Sequence, residues 1–428
     1  MAVSLPAFPG AQGWAKSTPG GRGGLIIKVT TLAARAVLPD VSFLDAVDIH
    51  NCIDPLSPPP QPHIIVFEVG GVIDLNCQTI NIIKPYLTIA GQTAPFPGVT
   101  FIKGGISIKT HDVIIQHIRI RPGQAGRPKR SGWEVDGIST FKGAHDVIID
   151  HCSVTWATDE NLSASGPRFD GLGAAQWRQN TSYRITFSNN IIAEGLSNSS
   201  HSKGEHSTGT LIHDNVTQLL IFRNLYVHNM ERNPLIKGGA QCVVANNYIY
   251  NPGRRSLHYN LLSEEWGSHP YETGIVVYVG NVLRAGHSTS SDLAELMFGG
   301  SGDLRYYTRD NISMDRLGNP LQKIGRCTAS QPRIIQPSFN PLWPEGLPVL
   351  HAIELQDPLL KDVGARPWDR DASNIRRDGN DNRIIFNVLE GHGNIIDSED
   401  EVGGYPVYAP TYQAFNPAAW DLNFMTPV

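Results

Sequence analysis

A short signature, a polar His or Asn followed by an apolar residue, recurs inside strand-like runs at His117, His151, Asn190, Asn224, Asn247, Asn281 and Asn311. The spacings are 34, 39, 34, 23, 34 and 30 residues. A local pattern that stays fixed while its period varies marks a solenoid whose coils carry loops of different length. In a hairpin sandwich the polar position would lie on the surface and drift. In a parallel β-helix each coil stacks on the last, so equivalent corners come into register. Asn suits such a corner because it tolerates left-handed backbone and can hydrogen-bond to the Asn of the next coil. The runs themselves, such as "DVIIDHCSVTW" (146–156), "YRITFSNNIIA" (183–193) and "CVVANNYIYNP" (242–252), alternate with period two and are rich in β-branched and aromatic residues. Helical patterning of comparable length is nearly absent.

The pattern divides the chain into three parts of one domain. Residues 1–62 form an N-terminal cap region, in which a short helix within "LDAVDIHNCIDPLSPPPQPH" covers the open end of the solenoid before a Pro-rich connection. Residues 63–342 form the coils. Residues 343–428, including "RDASNIRRDGNDNRIIFNVL", form a C-terminal extension packed on the helix. Composition narrows the functional classes. No stretch of 18 apolar residues exists, which excludes a membrane-spanning helix. A formal charge of -5 gives no global basic field, which argues against a nucleic-acid binder held by phosphate contacts. The five cysteines contain no CxxC pair, so neither a zinc site nor a dense disulfide framework is indicated; Cys152 and Cys242 read as buried small hydrophobes.

Acidic residues gather in two neighbouring coils: Glu134 and Asp136 in "GWEVDGIST", then Asp159 and Glu160 in "TWATDENLS". On a strand, residues two apart leave the same face, and direct stacking of the next coil brings all four carboxylates together. Such an oxygen-rich set suits Ca2+, which takes six to eight oxygens with loose angles. The competing reading is a solvated acidic face. Asp150 is a weaker candidate because it lies inside an apolar run. Basic residues follow one or two coils later: Lys203, then Arg232 and Lys237 with Pro234 between them. Carboxylates ready for a cation beside a row of Lys and Arg suit an anionic polysaccharide, whose uronate groups the basic row would bind.

Five ordered motifs, "AFPGAQGWAKSTPGGRGG", "LTIAGQTAP", "VIIDHCSVTWATDE", "ERNPLIKGG" followed by "VVANNYIYN", and "GNIIDSEDEVGGYP", resemble the pectate lyases of the first polysaccharide lyase family. The resemblance runs from Ala7 to about Tyr405. It implies an all-β, single-stranded right-handed parallel β-helix and calcium-dependent β-elimination of polygalacturonate to 4,5-unsaturated products. It implies calcium ligands at Glu134, Asp136, Asp159 and Glu160, with Arg232 as the proton-abstracting base and Lys203 and Lys237 as substrate-binding residues. Ser163 stands where a fourth acid is expected, and Lys237 where many relatives have Arg. The chain is expected to act as a monomer, without nucleic acid or membrane. Its opening lacks the features of a signal peptide, yet a polymer substrate cannot enter a cell, so a secreted protein whose signal has been removed is expected. Five N-x-S/T sequons, at Asn161, Asn180, Asn198, Asn215 and Asn311, would carry glycans only in a eukaryotic host. Two rival readings are a β-helix glycoside hydrolase with paired carboxylates and the "EGHGN" loop (390–394), and a non-catalytic carbohydrate-binding solenoid.

Overall fold

The computed structural model describes residues 5–52, 61–370 and 379–428. Short strands separated by turns stack coil upon coil into three parallel ladders. The first ladder starts at Leu25–Val29 and His63–Phe67, continues through His145–Asp150, Tyr183–Ser188, Thr217–Phe222 and Gln241–Ala245, and ends at Leu304–Arg309 and Ile334–Ile335. The second ladder includes Ser153–Thr155, Ile191–Ala193, Leu225–Val227 and Tyr248–Tyr250. The third includes Ile138–Thr140, Glu160–Ala164, Thr208–Ile212, Leu235–Lys237 and Leu257–Leu261, and closes with Ala294–Gly300 and Gln322–Arg326. The protein is a right-handed parallel β-helix, the hand that crossovers between parallel strands take. Alternation along each strand fills the interior with one apolar column. Val147, Ile185 and Leu219 lie on successive rungs above one another, as do Ile149, Phe187 and Ile221, and all are buried.

The corner between the first and second ladders carries the repeat, with one shift from the expected register. The backbone N–H of Asn190 donates to Asn224 Oδ1 at 2.9 Å; Asn224 donates likewise to Asn247, Asn247 to Asn281, and Asn281 to Asn311. The side-chain amides repeat the same chain of bonds at 2.9 to 3.1 Å. The left-handed backbone sits one residue earlier, at Asn189, Arg223, Asn246, Gly280 and Asp310. His117 and His151 belong to that left-handed position, with φ of 59° and 48°. Cys152, whose N–H donates to Asn190 Oδ1 at 2.8 Å, holds the ladder position in the coil before. His151 therefore stacks under Asn189, and the 39-residue spacing between His151 and Asn190 becomes 38 between Cys152 and Asn190.

Both ends of the chain fold onto this column. Helix Phe43–Asn51 starts with a Ser42–Asp45 capping box and inserts Phe43 against Phe67 and Phe101, covering the first rungs. The Pro-rich connection after it lies outside the described residues. Leu25–Val29 is itself a rung, so the first 62 residues supply ladder as well as cap. In the C-terminal region, helix Gly379–Glu390 places fully buried Asp381 between Arg119 and Arg121 of the coils, at 3.2 and 3.1 Å. The tail then runs to the first rungs, where Thr411–Tyr412 pairs antiparallel with Val69 and Gly70. Cys152 and Cys242 are buried and free, and burial pushes the Cys152 thiol up to about 12. Asn161 and Asn215 are fully buried, which removes these two sequons as glycan sites in the folded chain.

Candidate active site

The acidic cluster forms at the leading edge of two rungs of the third ladder. Ile138–Thr140 pairs with Glu160–Ala164, and in that register Asp136 lies beside Glu160, whose backbone N–H donates to Asp136 Oδ1 at 3.1 Å. One oxygen from each of Asp136, Asp159 and Glu160 lies within 4.8 Å of the others. Glu134 is not in this group. It lies two residues further from the strand than Asp136, and it turns outward to accept hydrogen bonds from Ser202 N at 3.0 Å and from the Ser202 hydroxyl. Ser163, in the place of an expected acid, donates its hydroxyl to Asp136 Oδ2 at 2.6 Å.

Two histidines that no sequence pattern indicated complete this side. They come from the loop between Ile191–Ala193 and Thr208–Ile212, and His206 Nε2 contacts Asp159 Oδ1 at 2.8 Å. His201 is fully buried, with Nε2 at 3.7 Å from the same oxygen and Nδ1 at 3.6 Å from Glu134. Asp159 is therefore shared between an all-carboxylate set and a set made with His201 and His206. Lys203 is exposed in the same loop at the edge of the site, and its backbone N–H donates to His201 Nδ1.

The charge balance of the cluster is uneven. Burial and then the neighbouring Asp159 push Asp136 up to about 7. Burial acts upward on Asp159 too, but the His206 hydrogen bond and the charges of His206 and Arg232 outweigh it and hold Asp159 below the usual range. Protons thus concentrate on Asp136 when the carboxylates face one another without a cation.

Arg232 arrives two coils later. Glu160 pairs with Thr208, and Thr208 bridges to Glu231, so the next residue reaches back to the acids and its guanidinium pairs with Glu160. Burial lowers the pKa of Arg232, against the opposing pull of Asp159 and Asp136. Lys237 lies further along the same face at the end of Leu235–Lys237. It is buried, and its amine pairs with Glu265, which also accepts from Arg168 at 3.0 Å. The expected free cation for a substrate carboxylate is thus already engaged. Arg255 was not indicated by the sequence pattern but belongs to the basic group: burial together with Arg255, Arg232 and Lys237 drives the intervening His258 well below its ordinary pKa. The "EGHGN" loop packs on the second ladder, where its His392 carbonyl accepts from Tyr250, and contributes no residue to the acidic group.

No family model matches the chain. A curated relative, "Probable pectate lyase C" of Emericella nidulans, is 30% identical over 411 residues, 94% of this chain and 80% of the relative. The protein of the same name from Aspergillus terreus is 36% identical over 58% of this chain and 49% of its own length. Among solved structures, a Bacillus pectate lyase in complex with trigalacturonate superposes with a TM-score of 0.52 at 15% identity, over 83% of this chain and 98% of that one. The major allergen from cedar pollen gives 0.53 at 15% identity, over 83% and 92%. These two structural likenesses concern the fold, whereas the relative matched over 94% of this chain carries the family: the chain belongs to the pectate lyases, which are polysaccharide lyases.

Proposed function

We propose that the protein cleaves polygalacturonate, an anionic polysaccharide, by calcium-dependent β-elimination, leaving 4,5-unsaturated oligogalacturonides. The observation that carries this reading is the continuity of the acidic trio Asp136, Asp159 and Glu160 with Arg232 on one outer face. Three carboxylates brought together, one of them driven toward protonation by burial and then by its neighbour Asp159, form an oxygen donor set suited to a hard cation. Asp136, Asp159 and Glu160 would hold the cation, with Glu134 at its margin. Calcium bound there would supply Lewis acidity toward the uronate carboxylate and so acidify the adjacent C5–H.

The chain's own residues do the rest. His206 and His201 fix the orientation of Asp159, and Ser163 fixes that of Asp136. Arg232, in its neutral form, takes the C5 proton; the C5 electron pair forms the C4=C5 double bond, and the glycosidic C4–O bond breaks with its electrons going to the oxygen. Arg normally stays protonated, and carboxylates surround this one, so turnover is expected to rise toward alkaline pH. Lys203, exposed at the edge of the site, offers positive charge to a neighbouring uronate, and Lys237 and Arg255 would do so on release from Glu265 and Glu231. A row of this kind supports a polymer lying across the coils, and a polymeric substrate supports an extracellular protein.

The test is an assay on de-esterified polygalacturonate. Ultraviolet absorbance of the conjugated unsaturated end, lost in excess EDTA and restored by Ca2+, is the expected result. New reducing ends without that absorbance would establish hydrolysis instead, and binding without turnover would establish a lectin-like solenoid.

A further inference from the structure

A second concavity, of about 690 Å³, lies on the first ladder and shares no lining residue with the carboxylate site of the third. Its floor is the stacked corner of four successive coils, His117, His151, Asn189 and Arg223, together with Gln116 and Asp150 at the strand ends. Its walls come from remote parts of the chain. The N-terminal segment contributes Phe8 and Gln12, the C-terminal region contributes Trp368, and the tail contributes Trp420 and Phe424. The volume falls within the range of small-molecule sites, roughly 300–1,000 Å³.

The polar floor is built and charge-balanced. Asp150 is 1% exposed and accepts hydrogen bonds from Ser188 Oγ at 2.7 Å, Asn189 Nδ2 at 2.9 Å and Gln116 Nε2 at 3.1 Å. Its other contact is His151 Nδ1 at 2.6 Å, and His151 Nε2 lies 3.4 Å from Asp362. Burial opposes the charge on His151, but Asp150 and then Asp362 push its pKa up to about 10, so the ring stays an imidazolium. Burial and then the His151 charge bring His117 down to about 3, leaving it neutral. Arg223 acts electrostatically on Asp362. Two carboxylates thus face two cations, and no surplus charge remains to attract a uronate or a phosphate. A locked imidazolium with no nucleophile beside it is a poor acid–base device, so the arrangement favours binding over chemistry.

Two features call for a ligand rich in hydroxyls. Gln12, Gln92, Asn189 and Arg223 bring amide and guanidinium groups to the lining, and all of them exchange hydrogen bonds readily with hydroxyls. Trp368, Trp420 and Phe424 line the same cavity. A sugar ring matches both, with its C–H face against an aromatic ring and its hydroxyl rim toward amides, carboxylates and guanidinium. We propose that this cavity binds a short uncharged saccharide, separately from the carboxylate site and independently of the lyase reaction.

Saturation-transfer NMR and titration calorimetry on the full chain test this with cellobiose, galactobiose and arabinobiose as probes. At least one should bind saturably with a Kd of about 1 mM or tighter, near 4 kcal/mol. Trp368→Ala and, separately, Arg223→Gln should each weaken binding about tenfold or more, a loss of roughly 1.4 kcal/mol, while turnover of polygalacturonate is unchanged. Digalacturonate should not displace the bound sugar. Arg223→Gln keeps the test readable if Trp368→Ala fails to fold. Absence of binding by all three probes, binding that both variants leave intact, or displacement by digalacturonate would each overturn the proposal.

Discussion

Replacing Asn224 by Ala isolates the corner ladder. Asn224 Oδ1 accepts from the backbone N–H and the side-chain amide of Asn190, and Asn224 Nδ2 donates to Phe187 O and Asn247 Oδ1, all at 2.9 to 3.0 Å in fully buried surroundings. Truncation removes all four bonds. Asn247 Oδ1 keeps the Asn224 backbone N–H, and Asn190 Nδ2 keeps Ile149 O, so the group left wholly orphaned is the Asn190 N–H. An orphaned buried donor costs about 1–3 kcal/mol, and each of the three further bonds contributes about 0.5–1.5 kcal/mol, so the expected loss is roughly 2.5–7.5 kcal/mol. Asn224→Asp, which keeps the acceptor but turns an anion toward Phe187 O and Asn247 Oδ1, should do no better. Asn311→Ala removes a similar number of bonds at the last, partly exposed rung, where water can replace them; it should lose no more than about 1–2 kcal/mol. Urea unfolding followed by tryptophan fluorescence measures all three. Equal losses at Asn224 and Asn311, or a loss at Asn224 below about 1 kcal/mol, would refute the claim that buried amide stacking, more than corner shape, stabilises the coils.

Arg232→Lys is expected to reduce kcat by about 10² to 10⁴ with calcium affinity nearly unchanged, measured by steady-state kinetics and calcium titration; retention of more than a tenth of the activity excludes Arg232 as the base. Lys237→Ala should raise KM for polygalacturonate, whereas Glu265→Gln, which releases the Lys237 amine, should lower it; kinetics showing no change in either variant would remove Lys237 from the substrate face. Asp136 has a raised pKa, so in chelator-treated protein its deprotonation destabilises the folded state as pH climbs from about 4 through about 7. Asp136→Asn should therefore be more stable than wild type at pH above about 7 and equal to it below about 4, as thermal melts across that range would report.

The ladder was legible in the sequence because a stacked Asn leaves the same dipeptide in every coil whatever the loop between. His117 and His151 entered the series one position out of phase, since a polar residue before an apolar one looks alike at the left-handed corner and at the amide ladder beside it. The carboxylates of Asp136, Asp159 and Glu160 were legible because adjacent coils bring short acidic segments together. Glu134 fell away because, two residues further from the strand than Asp136, it is drawn to Ser202 of an irregular loop that leaves no period to read. His201 and His206 sit in an irregular loop, and Arg255 and Glu265 act through ion pairs between coils; neither leaves a period to read. The cavity on the first ladder was out of reach for the same reason, its walls being drawn from residues more than three hundred positions apart.

A stack of parallel strands has two raw ends, and each end is a template on which another strand could grow. The first rungs are shielded by the helix that inserts Phe43. The last rungs are guarded differently: the third ladder stops at Gln322–Arg326, a strand that carries Lys323 and Arg326 with no fully buried residue, and the first stops at a strand of two residues. Charge and brevity at one end and an apolar plug at the other make the ends dissimilar surfaces, so two copies meeting end to end could not continue the column. A polymer-degrading protein built as a column is thereby kept from becoming a fibre itself.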